Sequence, residues 1–142
     1  MSQPPLPDPD WDLIQPFWNA AREGSLVMPR CGGCQRYVWY PDEQCPHCGA
    51  GEIPWIAVAG RGQLFSWAEV CHPLHPPYAD SLPYLTGIVV LDEDPTLRYV
   101  TRFVDCTADD LAIEMPMEVV FRELVFTGVE GSVMAPLFRP LP

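Results

Sequence analysis

The sequence predicts a mainly β protein: an N-terminal helical segment, a small metal-bound ribbon, then a closed five-stranded sheet. Three observations predict it. Two Cys-x-x-Cys pairs stand ten residues apart in "RCGGCQRYVWYPDEQCPHCG". Five segments beyond Gly60 are rich in Val, Ile, Phe, Tyr and Trp and are divided by turn formers. Ahead of the cysteines, "WDLIQPFWNAAREG" carries apolar residues at helical spacing.

The helical segment spans residues 11–25, after a proline-rich stretch (residues 1–10) that reads as a disordered tail. Asp10 or Asp12 is the expected cap and Gly24 the expected stop. Pro16 suits the first turn of a second helical piece, because mid-helix it would remove a hydrogen bond. Trp11, Ile14, Phe17, Trp18 and Ala21 share one stripe. It packs either on the protein's own body or on a partner, and Trp11, Phe17 and Trp18 are candidate partner-facing anchors.

Residues 59–142 hold the strands "GQLFSWAEV", "PYLTGIVVLDED", "LRYVTRFVD", "MEVVFREL" and "SVMAPLFRPL". Five strands suit an OB-type barrel. In "LRYVTRFVD" one face carries Tyr99, Thr101 and Phe103, and the other Arg98, Val100, Arg102 and Val104, a half-buried pattern. "YLTGIVVL" is apolar on both faces, so its outer face calls for cover, from the N-terminal helix or from another subunit.

The ribbon occupies residues 26–58. Cys31-x2-Cys34 and Cys45-x2-Cys48 each fit a tight knuckle whose backbone N–H groups point at sulfur, with Gly32, Gly33 and Gly49 easing the curvature. Four converging thiolates suit tetrahedral Zn²⁺, and a closed four-thiolate site is structural, with no open position for water. Such a metal supplies roughly 10–16 kcal/mol of folding free energy in small peptides. A thioredoxin-like pair would use one Cys-x-x-Cys before a helix, whereas here "QRYVWYP" between the pairs is strand-like. "CPHCG" matches the second knuckle of an electron-carrying rubredoxin, but the gap between the pairs is short for one. His47 is expected to face solvent.

The totals narrow the function. A chain of 142 residues favours one domain, and 48% hydrophobic residues suffice for a core. No apolar run approaches the roughly 20 residues of a membrane span. The N-terminus lacks the features of a signal peptide, so a cytoplasmic protein is expected, with reduced thiols. The net charge is −11, with nineteen acidic residues against eight basic ones, which argues against nucleic acid. If coenzyme A is bound, a partner supplies most of the positive charge.

The order of motifs resembles a bacterial and archaeal family of acyl-CoA-associated proteins. The resemblance is carried by "PFW", "GSLVMPRCGGC", "YPDEQCPHCG", "GRGQLFSWAEV", "LPYLTGIVVLDED", "LAIEMPMEVVFREL" and "APLFRP", from about Trp11 to the C-terminus. Members join an N-terminal helix, a rubredoxin-like zinc ribbon and an OB-fold. The resemblance implies an accessory subunit that forms a hetero-oligomer with a thiolase-fold or related acyl-CoA enzyme. Settings of that kind include thiolases of aromatic-acid breakdown, retro-aldolases of steroid side-chain breakdown, acetoacetyl-CoA thiolase assemblies and acyltransferases. It implies that the partner carries the catalytic group, that Cys31, Cys34, Cys45 and Cys48 hold zinc, and that this chain shares in shaping the acyl-CoA passage. Glu114 departs from the pattern: the family often has glycine there, and glutamate adopts positive φ less readily.

One segment offers an alternative. "VCHPLHPPYADSLPY" holds Cys71, His72 and His75, a conceivable nucleophile and base for a stand-alone acyl-CoA enzyme. Adjacent strand residues, however, point to opposite faces, and His72-x-x-His75 shows no third metal ligand. The larger expectation is a stiff loop at the barrel mouth, with His72, His75, Tyr78 and Tyr84 facing substrate or partner. Cys106 reads as a buried thiol.

Overall fold

In the computed structural model, residues 6–142 are described. Of the tail expected over residues 1–10, residues 1–5 lie outside the described residues, and residues 6–10 run as a bend and a turn.

The first regular element is helix α1 (Gln15–Arg22), which starts later than the sequence predicts. Its N-cap is Ile14, with no side-chain cap, so neither Asp10 nor Asp12 serves. The reason is local: the Ile14 and Gln15 amides both donate to the Trp11 carbonyl, making a separate turn before Pro16 opens the helix. Gly24 ends it at φ 77°, a conformation that costs glycine little.

Strands β1 (Val27–Pro29) and β2 (Trp55–Ala57) pair antiparallel and enclose the cysteine segment. The "QRYVWYP" stretch forms no strand, only one bridge between Arg30 and Tyr37. Both cysteine knuckles bend the chain there, leaving no room for a longer ladder.

The remaining strands are β3 (Arg61–Val70), β4 (Tyr84–Leu91), β5 (Arg98–Phe103), β6 (Pro116–Leu124) and β7 (Val133–Pro140). They close a barrel in the order β3-β4-β5-β7-β6, with β6 returning to β3. All pairings are antiparallel except β5 with β7, which meet at a single parallel bridge, Phe103 to Phe138. Pro136 accounts for the short seam: it has no N–H to offer. Its carbonyl is instead held by the Tyr99 hydroxyl at 2.9 Å and the Thr101 hydroxyl at 3.3 Å. Closure removes free sheet edges. It needs a bulge between Leu64 and Ser66 in β3, opposite Val89 and Ile88, with Gly87 next along paired to Trp67. A side chain at Gly87 would strike the Ser66 carbonyl, so the close approach requires glycine.

The core is continuous from barrel to helix. Leu64, Val89, Leu91, Met117 and Phe138 are buried inside the barrel, and Ile14, Phe17, Leu26 and Met28 extend the same cluster. β5 alternates as its sequence predicts: Tyr99, Thr101 and Phe103 are buried, Arg98 and Val100 exposed. Helix α1 packs on β7 and β1. The expected shielding of the outer face of β4 by this helix is therefore not its main role, and Ile88 and Val90 stay half-buried there.

Candidate metal centre and the surfaces around it

The four ribbon sulfurs converge. Those of Cys31, Cys34, Cys45 and Cys48 all lie within 4.8 Å of one another. Cys31 and Cys48 are 3.5 Å apart and Cys34 and Cys45 3.7 Å, far longer than a disulfide. A tetrahedron with metal–sulfur bonds of about 2.3 Å has sulfur–sulfur edges of about 3.8 Å. The donor set thus fits a tetrahedral, thiophilic ion such as Zn²⁺.

The knuckles behave as their sequence predicts. The Gly33 and Cys34 amides donate to the Cys31 sulfur at 3.3 and 3.5 Å, and the His47 amide to the Cys45 sulfur at 3.4 Å. Gly33 packs close to Ala50 and the Cys48 sulfur, where a side chain would press at 3.2 Å. The Cys34 amide holds Cys31 down to about 6 against burial, with help from the Gly33 amide and the neighbouring thiols. For Cys34 the Arg36 amide pulls down, but burial and the hydrogen bonds of the other thiols push it up to about 11. Protons are shared unevenly in such a cluster, and a dication displaces them on binding. His47 is exposed, with its ring nitrogen 3.2 Å from Arg36. That contact spans eleven residues and was not visible in the sequence.

Phe17 corrects an expectation. It is 3% exposed and lies inside the chain's own core, so it is not a partner-facing anchor. Its ring meets Trp39 of the ribbon at 5.3 Å, Trp55 of β2 at 6.5 Å and Tyr99 of β5 at 6.1 Å. The helix stripe thus turns inward at Ile14, Phe17 and Ala21. Trp18 is half-buried at the rim, and Trp11 is 49% exposed.

The 71–84 loop contains a short 3-10 helix (Pro76–Ser81). It forms no nucleophile–base pair. The Cys71 thiol reaches Glu69, at 3.5 Å from its carboxylate. Burial and Glu69 together raise its pKa, the wrong direction for a reactive thiolate. His72 is exposed. The His75 ring packs edge-on against Tyr78 at 5.3 Å. Among the described residues the four ribbon cysteines form the sole cluster suited to a metal, so the two histidines join none. Tyr78 and Tyr84 stand 6.3 Å apart, with the Arg102 guanidinium 4.0 Å over Tyr84. Cys106 is half-buried, and burial raises its thiol.

Fold and site define a class: a four-thiolate ribbon fastened by one helix to an OB barrel. Comparison with known proteins places the chain within that class. Residues 18–54 match the family model "ChsH2, rubredoxin-like zinc ribbon domain", and residues 55–122 match "ChsH2, C-terminal OB-fold domain". A solved chain described as "Ltp2-ChsH2(DUF35) aldolase" superposes with a TM-score of 0.75 at 31% identity, covering 97% of this chain and 98% of that one. A "DUF35 domain-containing scaffold protein" from Methanocaldococcus jannaschii is 29% identical over 123 residues, 85% of each chain. A "Probable enoyl-CoA hydratase alpha subunit" from Thermomonospora curvata is 33% identical over 135 residues, 94% of this chain. The chain spans 40% of that relative's length. The chain belongs to the ChsH2, or DUF35 scaffold, family.

Among the described residues, no helix is long and apolar enough to cross a membrane.

Proposed function

We propose that this chain is a non-catalytic accessory subunit of a thiolase-fold acyl-CoA enzyme, one that forms or cleaves a carbon–carbon bond as a thiolase, retro-aldolase or acyltransferase. It acts in a cytoplasmic hetero-oligomer and takes part in coenzyme A thioester binding only together with its partner. The carrying observation is the end-to-end likeness to the "Ltp2-ChsH2(DUF35) aldolase" chain, over 97% of this chain. Two features of this molecule support the reading. The Cys71 thiol is turned to Glu69 and its pKa is raised, which weakens a stand-alone enzyme built on the loop. The charge of −11 leaves the coenzyme's phosphates to be met by another subunit.

In this reading Cys31, Cys34, Cys45 and Cys48 hold structural Zn²⁺. The units are the tail (1–10), the helix (11–25), the ribbon (26–58) and the barrel (59–142). Zinc fixes the ribbon so that Trp39 and Trp55 seat α1 through Phe17.

The test uses the purified full chain and the thiolase-fold subunit of the same host. The chain alone is expected to be colourless, to carry one equivalent of zinc and to turn over no acyl-CoA. Mixed with the subunit, it co-elutes as a hetero-oligomer in sizing chromatography. Turnover by the chain alone that disappears in His72→Ala sinks the proposal. So does ferric–sulfur absorption with reversible electron transfer, or a failure to associate.

A further inference from the structure

The outward face of β5 carries Arg98, Val100 and Arg102, while its inward face is the barrel core. Val100 is 67% exposed, in the middle of a strand, flanked two residues away on either side by Arg98 and Arg102. The chain has eight basic residues, all arginine, against nineteen acidic ones. Its ion pairs engage Arg122 and Arg139 with Asp105 and Glu118. Among the described residues, neither Arg98 nor Arg102 is ion-paired. Each lies instead on an aromatic face, Arg98 at 4.3 Å over Phe65 and Arg102 at 4.0 Å over Tyr84. Rings of this kind hold a cation in place without neutralising it.

The strip continues beside α1. Two shallow grooves of about 210 and about 190 Å³ flank Trp18 and share Tyr99 and Val100 as floor. Phe126 walls the first and Trp39 the second. Among the described residues no acidic side chain lines either groove, on a chain with nineteen of them. Aromatic and arginine side chains with acidic residues excluded are the composition of an interface core. A small-molecule site is disfavoured, because such sites enclose roughly 300–1,000 Å³ and cover most of the ligand.

We propose that the outer face of β5 with Trp18 is where the thiolase-fold subunit docks. That subunit seats an apolar side chain on Val100 and sets carboxylates against Arg98 and Arg102. Four residues of strand place those two partners about 13 Å apart. The docking site rests on the accessory-subunit reading and gives it a location.

The test measures the affinity of the purified thiolase-fold subunit for the wild-type chain and three variants, at low and high salt. Arg98→Glu/Arg102→Glu and Val100→Asp are expected to weaken binding roughly 10- to 100-fold. The double variant also flattens the salt dependence, since its charges drive encounter. Arg61→Glu, on β3, is the charge control and is expected to bind like wild type. Thermal melts and zinc content confirm that each variant folds. Wild-type binding that both strip variants retain overturns the docking site and leaves the accessory role standing. Equal weakening by Arg61→Glu overturns it too, as a general charge effect. A wild-type chain that does not bind overturns both. A dimer of this chain alone that Val100→Asp dissolves assigns the strip to self-association, and overturns the docking site.

Discussion

At the scale of single residues, Glu114 holds a backbone conformation that ordinarily favours glycine. It adopts φ 71°, the left-handed region that a glycine would enter freely. The turn holds it there: the Glu114 amide donates to the Leu64 carbonyl at 2.8 Å, and the Leu64 amide to the Met115 carbonyl at 3.0 Å. Tertiary hydrogen bonds thus override the residue's own preference, at a cost of about 1 kcal/mol. Glu114→Gly is expected to raise unfolding free energy by up to about 1 kcal/mol, read as a higher urea midpoint at unchanged slope. A lower midpoint would show that the side chain itself contributes. The four ribbon cysteines were legible because each knuckle is encoded within four residues. The Arg36–His47 contact and the inward turn of Phe17 were not, because both depend on partners distant in sequence.

At the scale of elements, the turn between β4 and β5 carries a titratable brace. The Asp94 carboxylate accepts the Thr96 hydroxyl at 2.6 Å and the Thr96 amide at 2.7 Å. These two bonds, the hydroxyl's the larger, hold its pKa below 3.8 despite some burial. A depressed carboxylate adds stability above its unfolded pKa, and that stability is lost as pH falls through the lower folded value. Asp94→Ala is therefore expected to melt about 2–4 °C lower at neutral pH. The gap should narrow as pH falls through and below 3.8. A gap constant with pH would assign the effect to turn geometry instead. The five barrel strands were legible to within three residues at each end, because alternation and turn formers are local signals. The helix start was misplaced because a backbone turn on Trp11 replaces the acidic cap. The ribbon's central stretch has strand composition, yet the knuckles shape it more strongly than β propensity does.

At the scale of the whole molecule, one side chain joins all the units. Phe17 touches ribbon, β2 and barrel, and it ties the ribbon's rigidity to the barrel's core. Phe17→Ala is expected to cost about 3–5 kcal/mol. It should also split one unfolding transition into two, with zinc released before the barrel melts. Calorimetry run beside a zinc-binding dye reads both, and a single transition with unchanged zinc release would show that the units are joined elsewhere. The order of strands around the barrel was not legible, because β5 meets β7 only through closure. That closure gives the ring one joint with a single rung, where Pro136 leaves β7 without a donor. Local opening follows the fewest backbone bonds, so this joint is expected to open first in hydrogen exchange, restrained by the Val104 amide on the Phe138 carbonyl and by the Tyr99 and Thr101 hydroxyls on the Pro136 carbonyl. Thr101, Pro136 and Leu137 beside the joint line one of the two Trp18 grooves, so a molecule seated there would act as a clasp. Occupancy would then be felt as a slowing of the barrel's own motion.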